Sequence, residues 1–291
     1  MRLNINKGWK RVLLFLLPFL FTLVLSQLLG QILANTLITS ESQTVLKDFL
    51  VSLTSLTGTS ALLWLFLKHI DHDTFQALGL RLSGRKMDLF LGILLGFALV
   101  GLGFWLLVLL KEIFVREIHF DAFQILLSLL MFICVALFEE MVFRGYILRN
   151  LMYSYHRYLA LFLSALIFAG MHSLNPNLSS LSLLNLFLAG LLLGISYIHT
   201  QNLWFPIGLH LSLNFFQTHF GFNVSGQDSF SVVESFILEE NLMNGGAFGF
   251  EGSVIFVYAQ ILAIVGIEFL YAAKEEKILK KLAETPDPGR R

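Results

Sequence analysis

Six ionisable or amide side chains stand in three stretches of the sequence that are otherwise apolar. In chain order they are Glu139, Glu140, Arg144, His172, His210 and Asn214. Polar groups of this kind are costly inside a hydrophobic segment, so they indicate a functional site. Glutamate and histidine together can activate a water molecule for hydrolysis, pass a proton along a path, or bind a metal ion.

Each of these groups, considered alone, has a simpler explanation. Glu140 and Arg144 are four residues apart, and on a helix they could form a buried ion pair. His172 could be a packed, hydrogen-bonded side chain, and Asn214 could serve only as a contact between helices. Together the six can compensate one another only if their three helices converge. The sequence therefore predicts one buried polar site, which is either hydrolytic or a path for protons or ions.

The composition predicts the setting of this site. Of the 291 residues, 56% are hydrophobic and 14% are charged, and the mean hydropathy is +0.74. Soluble domains have roughly 45–50% apolar and about 25% charged residues. The 20 basic and 20 acidic residues give no net charge, which argues against a disordered chain and against a nucleic-acid partner. One cysteine excludes an internal disulfide and a cysteine-rich zinc site.

The fold class that follows is all-α, a polytopic bundle of about eight transmembrane helices. Apolar stretches of about the length that a membrane span requires run approximately over 12–35, 45–67, 88–110, 122–148, 158–173, 180–199, 203–222 and 252–273. We divide the chain into helices 1–3 with a cytoplasmic loop (1–121), a core of helices 4–7 (122–222), and an external loop, last helix and basic tail (223–291). Gly92 and Gly96 have the spacing that lets membrane helices pack closely.

The loop charges orient this bundle. Seventeen of the 20 Lys and Arg residues fall on one side, whereas the segment 223–251 has five acidic residues and no basic one. Basic loops stay in the cytoplasm. The sequence thus predicts a multi-pass protein of the cell membrane with both termini cytoplasmic and 223–251 outside.

The three polar motifs, in this order, resemble the signature motifs of a known family. They read Glu139-Glu140-x-x-x-Arg144, Phe168-x-x-x-His172 and His210-x-x-x-Asn214. They are similar to those of the CPBP family, intramembrane proteases related to the type II CAAX prenyl endopeptidase. The resemblance covers about 122–222. It implies peptide-bond hydrolysis in a membrane-associated peptide or protein, within a polar cavity that opens to lipid and cytoplasm.

The resemblance also implies a role for each motif residue. Glu139 and His172 would hold and activate the attacking water. Glu140, His210 and Asn214 would stabilise the oxyanion or orient the first pair. Arg144 would fix Glu140, and Phe168 would be structural.

A metal ion and two other functions stay open at this point. Glu139, His172 and His210 could bind zinc with water as the fourth ligand, but the chain lacks a His-Glu-x-x-His motif, and we slightly favour a site without a tightly bound metal. The same glutamates and histidines could relay protons in a proton-coupled transporter. The fold could also belong to an immunity or scaffold protein without proteolytic activity.

One geometric difficulty concerns the depths of the motif residues. Counted from the predicted span ends at 1.5 Å per residue, Glu139 and His172 miss each other by roughly 17 Å in a core of about 30 Å. Either the predicted span ends are wrong, or residues 145–160 fold back into the membrane and start the fifth span deep. We expect the second, which would shape a cavity near the cytoplasmic side.

Overall fold

The computed structural model describes residues 7–39 and 43–284. The outermost residues of the two predicted cytoplasmic termini, 1–6 and 285–291, therefore lie outside the described residues. The helices are α1 (Gly8–Leu37), α2 (Thr44–Asp71), α3 (Lys86–Leu109), α4 (Ala122–Met152), α5 (Arg157–Met171), α6 (Ser180–Thr200), α7 (Trp204–His219) and α8 (Val254–Glu284). Short 3₁₀ turns occupy Phe75–Leu78, Gly246–Phe248 and Phe250–Gly252.

The helical membrane bundle predicted from the sequence is confirmed. Each of the eight apolar stretches corresponds to one helix, and six of the helices are long and apolar enough to cross a membrane. The other two, α5 with 15 residues and α7 with 16, are shorter than the roughly 17–25 residues of a full span. Residues 7–39 and 43–284 thus contain these eight helices, and six of them qualify as spans by length and composition.

The helices divide into a buried centre and an apolar periphery. In α4 and α6, 56% and 67% of the most apolar 18-residue window is buried, against 22% in α1 and 17% in α8. The outer helices expose large apolar side chains such as Leu17, Phe21 and Leu262. In water this surface would be unfavourable, whereas lipid tails solvate it without cost. The protein is therefore a multi-pass membrane protein whose polar motifs lie on its central helices.

Polar contacts connect the turns at one end of the bundle. Nη1 of Arg11 donates to Oδ1 of Asp71 at 2.7 Å, which joins the start of α1 to the end of α2. Nδ2 of Asn202 donates to the carbonyl oxygen of Arg81 at 3.0 Å, which joins the α6–α7 turn to the segment before α3. We call this the basic end. It comprises residues 7–11, 68–86, 149–157 and 200–204.

A small antiparallel sheet marks the opposite end. β1 (Phe114–Ile118) pairs with β2 (Val233–Phe236), with a register shift between Val115 and Glu117. The all-α prediction did not include these strands, because each is very short and they pair across more than 100 residues of sequence. We call this the strand end. It comprises residues 110–121, 172–179 and 220–253.

The glycine pair of α3 lies at the interface between α3 and α7. A Cβ atom on Gly92 would lie 2.3 Å from the carbonyl oxygen of Phe205, and one on Gly96 would lie 2.7 Å from Cβ of Ser212. Both distances are shorter than any normal contact, so the two backbones approach this closely only because the side chains are absent. The contact holds α7, and with it His210, against the bundle.

We expect Gly92→Ala to destabilise the protein although alanine favours helix by about 1 kcal/mol over glycine. Overpacking against the α7 backbone costs about 1–3 kcal/mol. The matched control is Gly101→Ala on the same helix, where the nearest atom to the added Cβ lies at 3.8 Å, and which should be neutral or stabilising. Thermal unfolding of both variants in detergent tests this. Equal unfolding temperatures for the two would contradict the proposed close packing.

Candidate active site

The two adjacent glutamates stand where α4 changes its helical geometry. Regular α-helix ends at Glu140, and Met141–Leu148 forms a π-helical segment before α-helix resumes. Such segments are rare in proteins, and those that occur are often found at functional sites. Adjacent residues on a helix point about 100° apart. Accordingly the side chain of Glu140 is completely buried, whereas that of Glu139 keeps 13% of its surface exposed and lines a cavity.

Glu140 is the centre of a buried ion pair. Its Oε1 accepts hydrogen bonds from Nη1 of Arg144 at 2.8 Å and from Nδ1 of His210 at 2.8 Å. Arg144 is 1% exposed, and its Nη2 donates to the carbonyl oxygen of Gly190 at 3.2 Å. Its guanidinium lies 4.6 Å from the centre of the Phe168 ring. The network joins α4, α5, α6 and α7.

The hydrogen-bond partners of the two histidines assign their protons. Nδ1 of His172 lies 2.8 Å from the carbonyl oxygen of Phe168, which can only accept, so this nitrogen carries a hydrogen. Nδ1 of His210 likewise donates to Glu140. In the neutral form of each ring the lone pair is then on Nε2. These two atoms lie 3.9 Å and 3.8 Å from Oε2 of Glu139.

Glu139 thus has one oxygen between two imidazole nitrogens. Its Oε2 is buried and has no hydrogen-bond partner among the described residues. Distances of 3.8–3.9 Å are too long for direct hydrogen bonds, and they suit polar groups that share a small molecule between them. The arrangement can hold a water molecule in contact with a carboxylate and an imidazole.

Asn214 lies one turn beyond His210 on α7. It is 7% exposed, it lines the same cavity, and its side chain makes no hydrogen bond within the described residues. Its amide group is therefore available to a molecule that enters the cavity. All seven predicted site residues are therefore in one region, five around the cavity and two, Arg144 and Glu140, beneath it.

The prediction that residues 145–160 fold back into the membrane is wrong. α4 continues without interruption to Met152, and the chain reverses only at 153–156. Glu139 precedes Met152 by 13 residues and His172 follows Arg157 by 15, which correspond to about 20 and 22 Å from one shared turn. The depths agree because α4 is longer than the predicted span.

The cavity has a volume of about 350 Å³ and opens at the strand end. Its well-exposed lining residues are Gln27, Asp48, Gln227 and Asp228, which lie far along α1, at the start of α2, and in the loop after α7. Towards the basic end it is closed by buried side chains such as Phe143. The expected cytoplasmic opening and the predicted cytoplasmic position of the basic end therefore cannot both be right.

Glu251 is a site residue that the sequence analysis missed. The sequence analysis counted it only among the acidic residues of the segment 223–251. Its position between Phe250 and Gly252, in an apolar stretch, is the signal that could have indicated a buried carboxylate. Its Oε2 accepts hydrogen bonds from N and Oγ of Ser225, both at 2.9 Å, and it lines the cavity. Burial raises the pKa of Glu251, against the opposing effect of those hydrogen bonds.

The carboxylates of the cavity have no Lys or Arg counterpart in its lining, in which the two histidines are the basic side chains among the described residues. Four carboxylates face the cavity, on Asp48, Glu139, Asp228 and Glu251, and no Lys or Arg among the described residues does so. The nearest cation, Arg144, is paired with Glu140 beneath the floor. The cavity is therefore an acidic and partly apolar chamber.

The predicted zinc ligands fit zinc by type but not by spacing. Two imidazole nitrogens and a carboxylate are typical zinc ligands, and in a tetrahedral site their atoms lie about 3.3 Å apart. Here two of the separations are 3.8 and 3.9 Å, and Glu139, His172 and His210 do not form a group whose ligand atoms all lie within 4.8 Å. Within the described part of the chain, that criterion is met by Glu117, His119 and Glu234, on the surface of the strand end.

Comparison with known families identifies the core. Residues 121–216, which contain all seven motif residues, match the family model described as type II CAAX prenyl endopeptidase Rce1-like. The match covers 96 of the 291 residues and supports a relationship of this core to the CAAX protease family. The resemblance inferred from the motifs is thereby confirmed. No curated protein and no solved structure matches the chain.

Removal of the buried cation should strongly destabilise the core formed by α4 to α7. We expect Arg144→Gln to lower the free energy of unfolding by about 3–5 kcal/mol, because it leaves Glu140 buried without its counter-charge. The control is Arg116→Gln, which breaks an exposed pair with Glu234 and should cost less than about 1 kcal/mol. Denaturant unfolding in detergent measures both. Similar losses for the two variants would show that the buried pair contributes no more to the free energy of unfolding than the exposed pair does.

Proposed function

We propose that this protein is an intramembrane endopeptidase. It hydrolyses a peptide bond of a membrane-associated peptide or protein with a water molecule activated by Glu139 and His172. The observation that supports this most directly is the buried, unpartnered Oε2 of Glu139, which lies 3.9 Å from Nε2 of His172 in a cavity large enough for a peptide segment.

Glu139 is the general base in this proposal. A water molecule at hydrogen-bond distance from both groups donates one hydrogen to Oε2 of Glu139 and the other to Nε2 of His172. Its lone pair then points away from both groups, towards the carbonyl carbon of a bound peptide. Glu139 takes the proton as the water attacks and returns it to the departing amine. A positioned base of this kind contributes about 10²–10⁴-fold to the rate.

His210 and Asn214 stabilise the negative charge that develops on the carbonyl oxygen. They share one face of α7, and both are buried. Asn214 donates from its free amide group, and His210 donates from Nε2 when it is protonated, with Glu140 accepting from Nδ1. Each donor to an oxyanion is worth roughly 2.7–4 kcal/mol. Glu139 and His172 act on the attacking water, and this second pair acts on the carbonyl.

Three residues act by positioning the others. Glu140 fixes the ring of His210 through Nδ1, as a carboxylate does in other hydrolytic sites. Arg144 pairs with Glu140 at 2.8 Å and holds its carboxylate in place. Phe168 holds His172 through its carbonyl oxygen and covers the guanidinium of Arg144 with its ring.

Glu139→Gln tests the assignment of the base. The amide keeps the size of the side chain but cannot take a proton, so we expect turnover to fall by at least about 10²-fold with little change in stability. The control is Glu239→Gln in the exposed outer loop. The measurement is mass spectrometry of the products from a panel of membrane-anchored peptides, with purified protein in lipid nanodiscs.

Each result of this assay has a definite meaning. Near-normal turnover by Glu139→Gln would show that another group is the base. Absence of cleavage by the wild-type protein, whatever the peptide, would favour the proton-coupled transporter or the immunity or scaffold protein of the same fold.

We also propose that catalysis needs no tightly bound metal, because the ligand spacing is too open for zinc. Elemental analysis of the purified protein should find well below one zinc ion per chain, and a chelator should leave the activity unchanged. Stoichiometric zinc that disappears in His172→Ala, together with activity that a chelator removes and zinc restores, would overturn this.

A further inference from the structure

We propose that the cavity is open to the non-cytoplasmic side of the membrane and receives its substrate from there. That the cavity receives a substrate rests on the proposed proteolytic function, whereas the side on which it opens does not. The substrate class is a peptide segment at the outer surface or in the outer half of the bilayer, and not a chain end presented in the cytoplasm.

The first argument is the charge difference between the two ends of the folded bundle. The basic end carries, among the described residues, two carboxylates, Asp71 and Asp73, against Lys7, Lys10, Arg11, Lys68, Arg81, Arg85, Lys86, Arg149 and Arg157. The strand end carries Lys111 and Arg116 against Glu112, Glu117, Asp121, Asp228, Glu234, Glu239, Glu240 and Glu251. Lys and Arg in short loops stay on the cytoplasmic side. The basic end is therefore cytoplasmic and the strand end is outside.

The second argument is the shape of the cavity. Its rim residues Gln27, Asp48 and Asp228 are exposed and lie towards the strand end. On the other side of the two glutamates, Val142, Arg144 and Tyr146 are each at most 1% exposed. This packed layer separates the catalytic groups from the basic end, so no route for a peptide leads there through the described residues.

The third argument is that the rim is an ordered and polar structure. Glu251 accepts two hydrogen bonds from Ser225, and N of Gly226 donates to the carbonyl oxygen of Phe248 at 3.0 Å. Nδ2 of Asn177 approaches the carbonyl oxygen of Gly226 at 3.5 Å. These contacts hold the loop after α7 against the turn after α5, at the mouth. A rim of hydrogen-bonded loops and carboxylates suits an aqueous entrance.

Cysteine accessibility tests the proposal without any need for turnover. The native Cys134 is buried and is replaced by alanine to give a cysteine-free background. Into it are introduced, one at a time, Asp228→Cys at the rim, Thr218→Cys in the cavity wall, Ser83→Cys at the basic end, and Ser128→Cys, a buried control outside the cavity lining. Intact cells and permeabilised cells are treated with a small membrane-impermeant thiol reagent.

We expect the rim and cavity cysteines to react in intact cells as fully as after permeabilisation. Ser83→Cys should react only after permeabilisation, and Ser128→Cys in neither case. Labelling of the rim and cavity only after permeabilisation would overturn the proposal. The proposal would also be overturned if the rim cysteine reacted in intact cells and the cavity cysteine did not. Unfolding temperatures of the variants identify any that are misfolded, and Asp48→Cys then replaces a failed rim variant.

The outcome is separable from that of the proposed function. Outward labelling with normal turnover by Glu139→Gln would leave the opening established and the base wrong. Labelling only from the cytoplasmic side, together with an inactive Glu139→Gln, would leave the base supported and the proposed opening wrong.

Discussion

The buried pair of Glu140 and Arg144 is the interaction on which the rest of the site depends. Both side chains are at most 1% exposed, and neither charge could remain at this depth without the other. The pair also fixes its neighbours, because Glu140 binds His210 and Arg144 binds the α6 backbone and the Phe168 ring. The two side chains that neutralise each other thus also hold four helices together through their contacts.

The same pair gives the two adjacent glutamates different chemistry. Oε1 of Glu140 is held by Arg144 and His210. Glu139 points about a quarter turn away, into the cavity, where its Oε2 has no partner among the described residues. In the proposed mechanism Glu139 exchanges a proton and Glu140 orients His210. The π-helical segment that follows lets α4 continue past the site with Arg144 directed back at Glu140.

The bundle is built asymmetrically about this site. Towards the basic end the space beneath the glutamates is filled by large side chains, including Tyr146 and Leu78. Towards the strand end, α5 stops at Met171 and α7 at His219, so loops take the place of helices and leave a chamber between them. The two short helices explain how a cavity can exist in a bundle whose other members are long enough to cross a membrane.

The sequence by itself determined the features that depend on local composition. Apolar runs of sufficient length located all eight helices, and the isolation of Glu139, His172 and His210 in such runs located the site. The tertiary structure alone decided what depends on contacts distant in sequence. These are the pairing of β1 with β2, the placement of Glu251 against Ser225 in the cavity, the common depth of Glu139 and His172, and the end at which the cavity opens. The physical reason is that burial in lipid is a property of each segment, whereas the position of an opening depends on where several segments stop.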